Sequence, residues 1–193
     1  MPRPKKFNPD DALDRAMQVF WHKGYEATSM EDLLRAMELN RGSLYDTFGD
    51  KRKLFVKVMD RYCTTFVGPK LSLLDQPGPA LPTLRRFIIG MVEGGLADPQ
   101  RRGCFISNTV MELSPHEKEI AGTLCKALKM AEDAFFKVLA RAEHQGELRS
   151  DKNLRALAHF LTTMMQGIVV MIKAGTPAEV VKRTAETGLS ILD

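Results

Sequence analysis

Residues 40–51 read Asn-Arg-Gly-Ser-Leu-Tyr-Asp-Thr-Phe-Gly-Asp-Lys, a set of donors whose chemistry suits recognition of a nucleic acid. An arginine can donate two parallel hydrogen bonds to the acceptors of a guanine, which makes Arg41 the candidate for base readout. Gly42 has no side chain and lets backbone approach DNA closely. Ser43, Tyr45 and Thr47 add hydroxyls, and Lys51 adds a charge placed for a phosphate. Asp46 would repel phosphate and could instead accept from a cytosine amine. Thr28, Ser29 and Asn40, at the starts of two short helical patterns, complete the candidate DNA-contacting set.

Two short helices around a tight turn must hold these groups. Thr28 and Glu31 fit a capping box, in which the hydroxyl accepts an orphan amide and the glutamate reaches back, so a helix starts near Ser29. Leu33, Leu34 and Met37 give it an apolar side. Asn40 is a good N-cap for a second helix over residues 41–47, with Leu44 and Phe48 facing inward. A turn of about three residues between two such helices defines a helix-turn-helix, whose second helix enters the major groove. A helical hairpin inside a bundle would show the same spacing, but a charged, tyrosine-bearing helix that begins Asn-Arg-Gly-Ser makes a poor core helix.

The order of capped helix, turn, Gly42-Ser43-Leu44-Tyr45, Phe48 and Lys51 resembles the DNA-binding domain of the tetracycline-repressor (TetR) family over roughly residues 9–66. The first helix fits as well, with Leu13, Ala16, Met17 and Phe20 on one face and Phe20, Gly24 and Thr28 matching the family's opening. The sequence departs from the family in two places. Glu38 stands where glycine is common, so a left-handed backbone there would cost about 1 kcal/mol. Asp46 and Thr47 replace an aromatic and a histidine. The resemblance implies a repressor that binds a palindromic operator in double-stranded DNA as a homodimer and is released by a small apolar or aromatic effector.

The chain has 193 residues, 44% of them hydrophobic, enough for one or two domains with a proper core. Residues 1–70 hold 13 Lys and Arg against 10 Asp and Glu, so the modest basic excess lies in the DNA-reading half. Arg3, Lys5 and Lys6 form a basic arm that could follow phosphates or enter the minor groove. The longest apolar runs fall short of the roughly 20 residues a membrane span needs, and the N-terminus has no signal-like apolar region. Cys63, Cys104 and Cys125 form no CxxC pattern and suit a reducing compartment. A cytoplasmic protein with no membrane partner is expected.

The remaining periodicity predicts an all-α fold of about nine helices: a three-helix N-terminal unit over residues 1–50, a connecting helix over 51–67, and a larger ligand-binding and dimerisation unit over 68–193. Gly68-Pro69 and Gln76-Pro77-Gly78-Pro79 break the pattern. Helices follow over 81–96, 104–113, from Ser114-Pro115-His116-Glu117 towards Gly146, over 151–174 and over 177–192. The resemblance places a ligand pocket among the C-terminal helices, with Phe66, Met91, Cys104, Phe105, Asn108, Glu112, Phe135 and Met164 as candidates. It assigns the last two helices to a dimer face, read here as Leu161, Met165, Ile168, Val181, Ala185 and Leu189. Nothing points to catalysis: His22, His116, His144 and His159 are scattered, phosphate loops are missing, and neither cofactor nor metal is expected. The alternative is a thiol-based redox sensor in which Cys104 or Cys125 trips the switch, with Arg101 and Arg102 near the first.

Overall fold

The computed structural model describes residues 7–113 and 118–193, and its regular structure over those residues is entirely helical. The elements are α1 (Pro9–Lys23), α2 (Met30–Met37), α3 (Arg41–Phe48), α4 (Lys51–Tyr62), α5 (Gly68–Leu71), α6 (Ala80–Ala97), α7 (Phe105–Leu113), α8 (Lys118–His144), α9 (Leu154–Lys173) and α10 (Ala178–Leu189). The predicted basic arm and the Ser114–Glu117 helix start lie outside the described residues.

Short polar side chains fix the starts of the first four helices. Asn8, Asn40 and Asp50 each accept a backbone N–H from the first turn of α1, α3 and α4, at 2.9, 2.8 and 2.8 Å. The capping box of α2 is Ser29 with Asp32, one residue later than the expected pair Thr28 and Glu31. Ser29 and Asp32 exchange two hydrogen bonds at 3.0 Å, and Lys23 holds the Asp32 carboxylate from outside at 2.7 Å. Thr28 is buried and donates its hydroxyl to the Gly24 carbonyl instead. Glu38 takes the left-handed conformation (φ 55°) that closes α2, as the sequence requires, and pairs with Arg15 at 2.8 Å.

Gly68-Pro69 was expected to end the connecting helix, but the chain stays helical through it. After α4 the backbone widens into a π-helical segment, Cys63–Val67, in which Gly68 N–H reaches back to the Cys63 carbonyl. A proline ring clashes with a carbonyl one ordinary turn earlier, and a widened turn just ahead of Pro69 makes room for it. The helical run therefore continues into α5 and a 3-10 turn, Ser72–Asp75.

Two apolar cores result. The first gathers Phe20, Leu33, Leu44, Phe55 and Tyr62 from α1–α4, but also Phe105, Ile106 and Leu113 from α7 and Leu124 from α8. The second joins α6, α8, α9 and α10 through Leu84, Ile88, Leu139, Leu161, Ile168 and Val181. The reading unit is thus packed onto α7 and the start of α8, and the seam is polar as well as apolar. The Glu112 carboxylate accepts the backbone N–H groups of Tyr25 and Glu26 at 3.0 and 2.9 Å, and Trp21 Nε1 donates to the Gly103 carbonyl at 3.0 Å.

Candidate nucleic-acid interface and ligand cavity

Helix α3 buries Leu44 and Phe48 against the first core and turns its other side outward. Arg41, Gly42, Tyr45 and Asp46 are exposed; Ser43 and Thr47 are half-buried at its edge. Arg41 meets Glu31 of α2 at 2.9 Å, a surface pair that a DNA partner can replace at little loss. Asn40 is exposed, but its side chain is committed to the Ser43 amide. Ser29 is exposed and engaged in the capping box. Thr28, expected among the DNA contacts, is removed from that set because its side chain is buried. Lys51 stands over the Tyr25 ring with its ammonium 4.4 Å from the ring centroid, and 3.4 Å from the Glu26 carbonyl. That places a cation at the N-terminus of α4 beside α3.

A cavity of about 240 Å³ opens between the connecting helical run and α6, α8 and α9. Of the eight residues expected there, Phe66, Met91, Cys104 and Phe135 line it. The others have different work. Phe105 is buried in the first core, with its ring 5.5 Å from Tyr62 and 5.8 Å from Phe55. Glu112 holds the Tyr25 and Glu26 amides, and Asn108 donates to the Arg102 carbonyl at 2.7 Å. Met164 packs on Gly188 of α10, so close that a methyl at Gly188 would collide with its sulfur. A helical face with several polar groups looks like a ligand cradle in sequence, yet Glu112 is committed to the Tyr25 and Glu26 amides, while Asn108 uses its Nδ2 on Arg102 and keeps a buried Oδ1 without a partner among the described residues.

Sequence reasoning missed Trp21, Tyr62, Lys70 and Gln166 of the cavity wall. Trp21 comes from α1, so the reading unit itself contributes to the cavity. Lys70 was discoverable only by continuing the connecting helix past Gly68-Pro69, which places it one turn beyond Phe66. Burial pushes the Tyr62 hydroxyl far above its ordinary pKa, and the group stays neutral. Arg102, expected near the Cys104 thiol, is held by Asp98 at 3.0 Å and Gln18 at 2.6 Å and stacks over Trp21 at 4.4 Å. Cys125 is exposed on α8.

The six residues expected on the dimer face, Leu161, Met165, Ile168, Val181, Ala185 and Leu189, are all buried within the chain's own second core. Met165 and Ile168 also line the cavity. The neighbouring stripe is the one left open: Phe160 and Met164 on α9, with Val180, Thr184 and Gly188 on α10, line a shallow groove together with Glu179 and Arg183, and Gly167 is exposed on α9. Helix α9 is long and apolar enough to cross a membrane by length and composition, and this second apolar stripe is the reason.

Known proteins share this arrangement. A model of the tetR family of bacterial regulatory proteins matches residues 12–58, and a model of a tetracyclin repressor-like C-terminal domain matches residues 80–187. An uncharacterized HTH-type transcriptional regulator of Bacillus subtilis, YezE, is 35% identical over 100% of both chains. The HTH-type transcriptional repressor ComR of Escherichia coli is 32% identical over 98% of this chain and 90% of its own. The solved TetR family regulator CifR, a cysteine mutant bound to a 26-base-pair operator duplex, superposes with a TM-score of 0.89 at 29% identity, covering 99% of this chain and 100% of that one. By both family models and by its full-length relatives, the chain belongs to the tetR family of bacterial regulatory proteins.

Proposed function

We propose that the chain is a transcriptional repressor that binds a palindromic operator as a homodimer, with α3 in the major groove, and lets go when a small ligand fills the cavity. The observation that carries this reading is the division of α3 into an anchored side, Leu44 and Phe48, and an open side bearing Arg41, Gly42 and Tyr45. Arg41 reads a base edge; Ser43, Tyr45, Thr47 and Lys51 position the helix on the backbone. The similar regulator CifR is complexed with a double-stranded operator, which supports operator binding here.

In this reading, the open stripe of α9 and α10 meets its symmetry mate. Exposed large apolar side chains there, Phe160 at 40% and Val180 at 46% exposure, beside the polar Thr184 and the Glu179–Arg183 pair, favour burial against a second copy. The protein works in the cytoplasm, where the operator is, and catalyses nothing: Glu112 is occupied with backbone amides and His159 faces Glu132 at 3.1 Å. Selection of bound duplexes from randomised DNA tests the whole reading. The expected product is a two-fold sequence with half-sites spaced by about one helical turn. Enrichment of no sequence, or of single half-sites only, would refute it.

A further inference from the structure

Among the described residues, one cation of the cavity wall, Lys70, has no carboxylate beside it. Lys70 of α5 sits with its ammonium 3.8 Å from the Phe66 ring centroid. Burial draws its pKa below the ordinary lysine value. Arg102, on the same wall, differs: Asp98 and Gln18 already satisfy it. The lining is otherwise largely apolar and includes Phe87, Met91, Phe135 and Ile168.

We propose that the ligand of this cavity is a small apolar monoanion, a carboxylate on an aromatic or short aliphatic body, with its head group on Lys70 and its body among those four side chains. The inference rests on the ligand-release reading above. A half-buried ammonium in a largely apolar cavity gains from a carboxylate a charge-assisted hydrogen bond that no described residue supplies. A neutral ligand would leave that cation unpaired and further desolvated. The volume sets the size of the body: a cavity of about 240 Å³ lies below the roughly 300–1,000 Å³ of sites for drug-sized ligands and suits one ring or a short chain. Lys70 also stands where an anion would be felt. It lies on the unbroken helical run of α4, the π-helical segment and α5, whose first residue is Lys51 beside α3.

Calorimetric titration of the DNA-free protein with benzoate against benzamide, and hexanoate against hexanamide, tests the ligand class. At least one acid is expected to bind about tenfold or more tightly than its amide, since the pairs differ chiefly in charge. Lys70→Met should abolish the difference and Lys70→Arg should retain it. Amides that bind as tightly as the acids, no binding of either acid, or unchanged discrimination in Lys70→Met would each overturn the proposal. Anisotropy of labelled operator under the same acids reports separately on release. Acid binding without loss of operator affinity supports the ligand class and sinks the release reading, whereas release by amide and acid alike does the reverse.

Discussion

Removing the Glu112 carboxylate opens the seam between the reading unit and the rest of the chain, and the structure sets the size of the effect. One oxygen accepts the Tyr25 amide at 3.0 Å and the other the Glu26 amide at 2.9 Å. A hydrogen bond to a charged acceptor contributes about 1.5–3 kcal/mol, provided water does not take its place. Water reaches the exposed Glu26 amide but not readily the half-buried Tyr25 amide. Glu112→Ala should therefore destabilise by about 2–3 kcal/mol, chiefly through Tyr25, and Glu112→Gln, which keeps one neutral acceptor, by about half as much. For a chain of this length that is a fall in Tm of about 4–12 °C, read by calorimetry at one fixed protein concentration because a dimer would add its own concentration dependence. Gly24 provides the control. It has φ 86°, and a Cβ there would lie 2.9 Å from Glu112 Oε2, so Gly24→Ala suffers both backbone strain and a collision with the carboxylate. In the double variant the collision disappears and the strain remains, so the two losses should sum to more than the double variant shows. A loss below about 0.5 kcal/mol for Glu112→Ala, or strict additivity with Gly24→Ala, would refute the assignment of Glu112 as a structural latch.

Other consequences are as direct. Arg41→Ala should weaken the cognate operator by about 1–3 kcal/mol and relax preference at one base pair per half-site, whereas Lys51→Ala should weaken all duplexes alike and lower the salt slope by roughly 1; anisotropy against single-base variants at several salt concentrations separates them. Phe160→Glu, on the open stripe, should yield folded monomers with poor operator affinity, while Ile168→Glu, inside the core, should fail to fold; light scattering and circular dichroism together distinguish the two. The Lys23 hydrogen bond, with those from Ser29, holds the Asp32 carboxyl well below the usual carboxylate range. Because the folded value is depressed, its contribution is present above the unfolded value near pH 4 and fades as pH falls through the folded value, so Asp32→Asn should flatten the acid limb of a urea-midpoint-versus-pH curve.

How much of this was legible in the sequence depended on whether a residue's partner was local. Asn40, Leu44 and Phe48 act within one turn of α3, so its register and exposed side could be read directly from spacing. The capping box slipped by one residue because Thr28-Ser29 and Glu31-Asp32 offer two hydroxyls and two acids. What decides between them is tertiary: Lys23 reaches Asp32, and the Gly24 carbonyl takes the Thr28 hydroxyl. Glu112 and Asn108 were read as ligand contacts for the same reason, since their partners lie 87 and 6 residues away and neither is a pocket. The end of the connecting helix was misplaced because Pro69 ordinarily breaks a helix. A widened turn is invisible to a pattern built on 3.6 residues.

The dimer face shows a deeper limit. Periodicity identifies an apolar stripe but cannot say what lies against it, and α9 carries two. Leu157, Leu161, Ile168 and Ile172 form the inner one, while Phe160, Met164, Gly167 and Val170 form the outer. On α10 the choice falls between adjacent valines, Val181 buried and Val180 at 46% exposure, about 100° apart around the helix. Periodicity favours the richer stripe as the interface, and the structure uses that stripe for the chain's own core. The burial follows from connectivity: α9 must cover both α8 and α6 before it can offer anything to a second copy, so its larger, branched side chains are consumed inward. What remains outside mixes Phe160, Met164 and Val170 with the exposed Gly167, a stripe apolar enough to favour a second copy. A homodimer built there would place the cavity of each protomer directly behind its interface, since Met165 and Ile168 line the cavity from the inner side of the same helix. A ligand pushing on that wall would then act on the partner as well as on its own α4, which is how two recognition helices can lose their spacing together.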